Sequence, residues 1–201
     1  MNHAKKKQYV GYMYGTDSNP YDNINDSDIK KVVDNWYKEK ILGKSIEAQL
    51  DKKSIYCGDR TEYKDIDQIS YGSYNRVLEG NPSMKCKIND GYSVESGNKK
   101  LLYPVALLSA DEVNIAGNSY PKYGVLNTDN YLNDIYNSFW TLSPLNYALN
   151  GNAVVFCLNG SYGVGAVNAV WDILNVRPAI TIKGGELILS GDGSQNNPYV
   201  I

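Results

Sequence analysis

The last third of the chain constrains the fold most, because short apolar runs alternate there with pairs of turn-forming residues. The pairs are Asn150-Gly151, Asn159-Gly160 and Gly184-Gly185, and such steps are typical of tight β-hairpins. Short strands joined by these turns predict a meandering antiparallel sheet. The predicted strands are 139–143, 153–158, 164–170, 176–182, 186–190 and 199–201.

Helices are predicted nearer the start of the chain. Ser27 is suited to cap a helix with one apolar stripe, and Gly43 is suited to end it. A second, weaker helix is predicted at 45–51, and the alternation at 8–14 favours an opening strand. The stripe of the first helix consists of Ile29, Val32, Val33, Trp36, Tyr37 and Ile41.

The middle of the chain is predicted to consist of long loops. Residues 54–100 are polar and rich in Gly, Asn, Asp and Ser. Residues 101–108 are apolar enough for the core, although Pro104 denies them a central-strand role unless it falls at an edge or a bulge.

A short helix is predicted after this apolar segment. Ser109 and Glu112 have the spacing of a capping box, and Gly117 is suited to close the helix. A helical turn is expected near 129–136. All these elements together predict an α+β fold in one domain, 1–201, with one or two N-terminal helices, long loops and a C-terminal antiparallel sheet.

Three cysteines, Cys57, Cys86 and Cys157, occur without any CxxC pair. Cys57 and Cys86 flank a polar, turn-rich stretch, which suits a disulfide closing a loop of about 30 residues and worth about 3 kcal/mol. The alternative is two unrelated thiols. Cys157 lies in an apolar run and is predicted to be a buried thiol.

Charge and hydropathy exclude some partners. The net charge is −2 and the basic residues form no stripe, so no nucleic-acid partner is predicted. No apolar run approaches the roughly 20 residues of a membrane span, and the basic start at 1–7 has no apolar segment behind it. The chain is therefore either cytoplasmic or exported by a segment upstream. We expect the second, with membrane attachment only through an anchor outside this chain.

Few residues are suited to catalysis or metal binding. The sole histidine is His3, near the start of the chain, which leaves a Ser–His or Cys–His mechanism without a plausible base. With one histidine and no CxxC pair, no zinc site is predicted. A carboxylate pair for glycoside cleavage stays open, because spacing along the chain does not show which acids meet in space. We predict no enzyme activity and no cofactor.

Tyrosine is the unusual residue of the composition. The chain has 18 Tyr and 3 Trp but only 2 Phe, so an AT-rich genome, which would also raise Phe, explains the tyrosines poorly. Rigid aromatics mixed with small amides are typical of binding surfaces, whereas an ordinary solvated sheet rim is the alternative. The candidate ligand-binding residues are Asn146, Tyr147, Asn150, Asn152, Tyr162, Asn168 and Trp171.

Seven segments occur in order over nearly the whole chain. They are YVGYMY (9–14), DNWY (34–37), YCGDR (56–60), LYPVALLSADE (102–112) with Ala116-Gly117, FWTLSP (139–144), VRPAITI (176–182) and SGDGSQNNPYVI (190–201). Together they resemble a family of surface-exposed, pilin-associated or lipoprotein-anchored domains of gut Firmicutes. Two of them, WTLSP and VRPAI, also resemble the closing part of domains related to formylglycine-generating enzymes.

This resemblance implies a C-type-lectin-like fold at the cell surface whose ligand face is built from 145–175. In some lectin-fold proteins a diversity-generating retroelement mutates adenines in this segment, which yields Asn, Tyr, Ser, Asp, Gly and Ala. The chain departs from the family at Gly58, where Asn is expected, and at Asn175, where Gly is common. It also lacks the reactive cysteine pair of the related enzymes.

The function expected from these observations is adhesin-like binding of a protein or glycan on another cell, host or phage. One alternative is a structural, pilin-like subunit or tip of a surface fibre. Another is an enzyme, either of the formylglycine-generating class or a carboxylate-based hydrolase.

Overall fold

The computed structural model describes residues 26–64, 68–116, 132, 138–148, 153–159, 163–169, 174–185, 188–192, 196–197 and 200. The predicted opening strand at 8–14 and the helix end at Gly117 lie outside the described residues. So does the predicted turn at 129–136, apart from Leu132.

The described residues form three α-helices and nine short strands, with 3-10 helices at Ser45–Gln49 and Ile88–Asp90. None of the described helices has the length and apolar character needed to span a membrane. The helices are α1 (Asp28–Lys40), α2 (Gly72–Glu79) and α3 (Ala110–Ile115). The strands are β1 (Tyr56–Cys57), β2 (Glu62–Lys64), β3 (Gln68–Tyr71), β4 (Gly91–Tyr92), β5 (Val105–Ala106), β6 (Phe139–Ala148), β7 (Ala153–Asn159), β8 (Gly163–Ala169) and β9 (Ala179–Ile180).

The main sheet has five antiparallel strands in the order β2-β3-β6-β7-β8. The structure confirms two predictions from the sequence, the mixed α+β class and the antiparallel meander, which is β6-β7-β8. The prediction that 176–182 continues this sheet is wrong, because β9 pairs with β5 in a separate two-stranded sheet. At 186–190 and 199–201 the described residues show a single bridge, between Ser190 and Val200.

Helix α1 begins where the sequence predicts. The Ser27 side chain accepts a hydrogen bond from the Lys30 backbone N–H at 3.2 Å, and Gly43 follows the helix with a φ of +75°. Ile29, Val33, Tyr37 and Ile41 are buried at the predicted i, i+4 spacing. Val32 is 51% exposed, so its assignment to the buried stripe is wrong.

The main sheet is buried on both faces at β6 and β7. Alternate residues of a strand point to opposite faces, and in β7 they belong to two different core clusters. Val155 and Cys157 pack in a first cluster with α1, β5 and Trp140. Phe156 and Leu158 pack in a second cluster with residues of α2 and α3. A strand covered on both faces is expected to be almost continuously apolar, as the sequence of β7 is.

The loop prediction for 54–100 is wrong for α2 and for strands β1 to β4. Helix α2 lacks a side-chain cap at Tyr71, and Val77 is its only fully buried apolar residue of the second cluster. Tertiary contacts hold the helix instead. The buried Ser73 hydroxyl donates to the Pro144 carbonyl at 2.8 Å, and a Cβ at Gly72 would fall on the Asp59 carboxylate.

Helix α3 confirms the predicted capping box. The Ser109 hydroxyl accepts from the Glu112 backbone N–H at 3.1 Å, and the Glu112 carboxylate accepts from the Ser109 backbone N–H at 2.7 Å. The apolar segment before this helix is also core, as predicted. Val105, Ala106 and Leu107 are fully buried, and β5 follows Pro104 as one strand of a pair.

A buried ion pair lies on the core side of α1. The Lys30 ammonium donates to Asp34 Oδ2, and both residues are more than nine-tenths buried. Asp34 Oδ1 has no hydrogen-bond partner among the described residues, and burial raises the pKa of the Asp34 carboxyl against the opposing effect of Lys30. A charge left alone at this site would have no solvent to compensate it.

We predict that Lys30→Met lowers the free energy of unfolding by about 3 kcal/mol, because it leaves the buried Asp34 carboxylate without the countercharge of Lys30. The double change Lys30→Met with Asp34→Leu should recover most of this loss, and urea melts of the four proteins measure the coupling. Lys31→Met is the matched control, since its pair with Asp28 is about 60% exposed on both sides and should be worth less than about 1 kcal/mol. Additive losses in the double variant would contradict the prediction.

Candidate functional site

The structure places three of the predicted ligand-binding residues on strands of the main sheet. Asn146 on β6 pairs with Ser70 and Val154, whereas the backbone of Tyr147 pairs with Ile69 and Ala153. Directly paired residues share a face of an antiparallel sheet, so register puts positions 146 and 147 on opposite faces. The backbone of Asn168 on β8 pairs with Val155, which belongs to the first core cluster, as does Ile69. Register therefore groups position 168 with 147 and not with 146.

The other four predicted residues, Asn150, Asn152, Tyr162 and Trp171, lie outside the described residues. Their places in the chain follow from the ends of the strands. The ends Ala148, Ala153 and Ala169 lie at one end of the β6-β7-β8 meander, and Asn159 and Gly163 lie at the other. In sequence, positions 150, 152 and 171 adjoin the first end, and position 162 falls between the two strands at the second.

A buried ionic network, which the sequence reasoning missed, joins α2 to α3 and to the segment after β1. The Arg76 guanidinium donates to both oxygens of Asp111 at 2.8 Å and to Asp59 Oδ2 at 2.6 Å. Asp111 also accepts the Ser83 backbone N–H at 2.9 Å. Asp59 and Asp111 are more than nine-tenths buried. The fork geometry of arginine suits this double carboxylate arrangement.

Several groups in and beside this network have shifted pKa values. The hydrogen bonds that Arg76 donates to the Asp111 carboxylate, and then to Asp59, raise the pKa of Arg76 above its usual value against the opposing effect of burial. Burial raises the pKa of the Asp90 carboxyl, whereas a hydrogen bond from the Arg60 backbone and the Arg60 charge oppose that rise. Burial also raises the pKa of the Tyr92 hydroxyl.

The predicted disulfide is present between Cys57 and Cys86, 29 residues apart. It borders a cavity of about 290 Å³ lined by Ile55, Cys57, Ser83, Met84, Cys86, Ser109, Asp111 and Glu112. The two acids at this cavity are already engaged, Asp111 with Arg76 and Glu112 in the capping box. Within the described part of the chain, no cluster of His, Cys, Asp and Glu has the composition to hold a metal ion.

Gly58 and Asn175, the two positions that depart from the pattern of the resembled family, have defined local surroundings. A Cβ at Gly58 would lie 2.7 Å from the Tyr92 ring, so the buried tyrosine requires a very small residue there. Asn175 has no positive φ, and its side-chain amide donates to the Ser138 carbonyl at 3.3 Å. The next motif residue, Arg177, lies over the Phe139 ring at 4.2 Å.

Comparison of the chain with protein-family models, with curated proteins and with solved structures gives no match.

We predict that Arg76→Met destabilises the protein by about 3 to 5 kcal/mol, because it leaves two buried carboxylates without a countercharge. Arg76→Lys should cost less, since it keeps the charge and loses only the bidentate fork. Adding Asp59→Asn and Asp111→Asn to Arg76→Met should restore part of the stability. Urea melts measure the series, and a wild-type midpoint for Arg76→Met would show that the network contributes nothing.

We predict that the free energies of unfolding of the wild type and of Asp90→Asn differ by an amount that depends on pH. Its folded-state pKa is raised, so the stability that it contributes is complete below about pH 3.9, the usual unfolded value, and is lost as pH rises through the folded pKa. Asp90→Asn cannot titrate and keeps an oxygen acceptor for Arg60. The free energy of unfolding of Asp90→Asn minus that of the wild type should therefore increase with pH. A difference that is constant or falls with pH would contradict the burial of an ionisable Asp90.

Proposed function

We propose that this chain is a non-catalytic, adhesin-like binding domain of a cell surface, with a C-type-lectin-like fold and a ligand face built from 145–175. The observation that carries the proposal is the division of this segment into two kinds of position. Leu145, Val155, Phe156, Cys157 and Leu158 are at most 3% exposed and serve both core clusters. Most of the Tyr and Asn positions lie beyond or at the ends of the strands. A rigid buried scaffold that carries variable connections is the usual construction of a binding site.

The packing of the motif segments supports the proposed fold. Three segments that carry the family resemblance lie together in the structure. Strand β5, from LYPVALL, pairs with β9, from VRPAI, and the Leu142 backbone N–H of WTLSP donates to the Leu108 carbonyl at 2.8 Å. The Trp140 backbone N–H donates to the Asn175 carbonyl at 3.1 Å. Segments that resemble one family and pack as one unit favour a common fold.

The state of the cysteines supports a role other than catalysis. The related enzymes need a reactive cysteine pair, whereas here Cys57 and Cys86 are joined in a disulfide and Cys157 is fully buried. A thiolate nucleophile needs exposure and a lowered pKa. The disulfide is also compatible with an extracellular location, since such bonds persist in oxidising compartments.

The genetic code gives the proposed diversification a physical rationale. Every codon for Val, Phe and Cys lacks adenine at its first two positions, whereas every codon for Asn and Tyr contains adenine there. Mutation at adenines would therefore change Asn and Tyr and leave Val155, Phe156 and Cys157 unaltered. These three buried residues of β7 would survive a process that rewrites the residues around them.

We predict that the triple change Tyr147→Ala, Tyr162→Ala and Trp171→Ala weakens ligand binding at least about 100-fold, because buried aromatic anchors contribute about 2 kcal/mol or more each. Binding is measured by flow cytometry on intact host cells and on an immobilised glycan panel. The melting temperature should stay close to that of the wild type, and each single variant should show part of the loss.

Ile88→Ala is the control for this experiment. Ile88 is 71% exposed and lies in the 3-10 helix Ile88–Asp90, outside the main sheet. This variant should bind like the wild type. Undiminished binding by the triple variant, or an equal loss in Ile88→Ala, would place the ligand elsewhere.

A further inference from the structure

A lysine-lined groove lies where the 3-10 helix after α1 meets the chain beyond β9, and none of the described residues of 145–175 lines it. Its volume is about 990 Å³. Four of the described residues that line it are lysines and three are acids. The described lining residues are Gly43, Lys44, Glu47, Ala48, Leu50, Asp51, Lys52, Lys53, Glu95, Lys183 and Gly184.

The described lysines of the groove outnumber its described acids by one, and two of those acids accept hydrogen bonds from groups of the protein itself. Glu47 accepts the Gly43 backbone N–H at 2.7 Å, and Asp51 accepts the Lys53 backbone N–H at 2.9 Å and the Ser54 hydroxyl at 3.0 Å. Among the described residues, the ammonium groups of Lys52 and Lys53 form no salt bridge. The groove thus offers cationic groups whose charge is not neutralised by direct pairing.

Contacts between two segments of the fold hold the walls of the groove in place. The Lys183 ammonium is held by the Ala48 carbonyl at 2.5 Å, and the Lys183 backbone N–H donates to the Gln49 carbonyl at 2.8 Å. An antiparallel bridge between Leu50 and Ile182 joins the same two segments. A Cβ at Gly43 or at Gly184 would meet no atom within 4 Å, so a ligand has room to approach the backbone at both positions.

The geometry points to an acidic polysaccharide as the ligand of this groove, bound through carboxylate or sulfate groups on the lysines. Charged hydrogen bonds supply the affinity, and backbone carbonyls at the open glycines can accept from sugar hydroxyls. A single-stranded nucleic acid is the poorer fit, because none of the described lining residues is aromatic and base stacking needs such a platform. This site is separate from the ligand face proposed above and does not rest on it.

The test is calorimetric titration at low ionic strength with four probes of similar length. These are a heparin-derived oligosaccharide, an oligogalacturonate, a neutral malto-oligosaccharide and oligo-dT. Binding of either acidic glycan in preference to the neutral glycan and to oligo-dT supports the proposal. Comparison of the two acidic glycans distinguishes sulfate from carboxylate as the preferred group. Equal binding of oligo-dT, or no binding of either acidic glycan, would overturn the proposal.

Two matched double variants locate the binding. Lys52→Ala with Lys53→Ala should weaken acidic-glycan binding about tenfold, equivalent to one charged hydrogen bond. Lys85→Ala with Lys87→Ala removes the same charge from exposed lysines outside the groove and should leave binding within about twofold. Equal losses of acidic-glycan affinity in the two variants would show that only the net charge of the protein matters. This result would overturn the assignment of the binding site to the groove. The triple variant of Tyr147, Tyr162 and Trp171 should bind the acidic glycan like the wild type. Failure of the proposed groove can therefore be distinguished from failure of the proposed ligand face at 145–175.

Discussion

The Arg76 guanidinium is the contact on which the arrangement of the sheet's second face depends. It joins α2 to Asp111 of α3 and to Asp59 after β1, three segments that have few apolar residues to hold them together. Asp111 in turn accepts the Ser83 backbone N–H within the loop that the disulfide closes. A polar middle segment is thus fixed by charge and by a covalent bond rather than by a large core of its own.

This anchoring leaves the main sheet covered on both sides. The first core cluster, with α1, β5 and β9 around it, includes Val155 and Cys157, and the second includes Phe156 and Leu158. These four side chains of β7 are therefore committed to packing, and change there is costly in a close-packed interior. Under the proposed function, they belong to the scaffold, and the positions between the strands and at their ends form the ligand face.

The parts of the fold that local rules specify could be predicted from the sequence. The cap of α1 at Ser27, the capping box of α3 and the β6-β7-β8 meander each follow from a few neighbouring residues. Helix α2 could not be predicted, because Arg76 and Ser73 stabilise it through partners distant in sequence. The burial of Lys30 also depends on a tertiary environment, since periodicity alone places a lysine in solvent. For the candidate site, the strand predicted at 139–143 does not include Asn146 and Tyr147, whereas β6 continues to Ala148 through its pairing with β3 and β7.

Sequencing the coding region from many cells of one population tests most directly whether 145–175 is a diversified ligand face on a fixed sheet. We predict substitutions concentrated at adenines of the Asn and Tyr codons in this segment, with the codons of Val155, Phe156 and Cys157 unchanged in meaning. A segment as uniform as the rest of the gene, or substitutions that change the buried residues of β7 equally often, would contradict a diversified face.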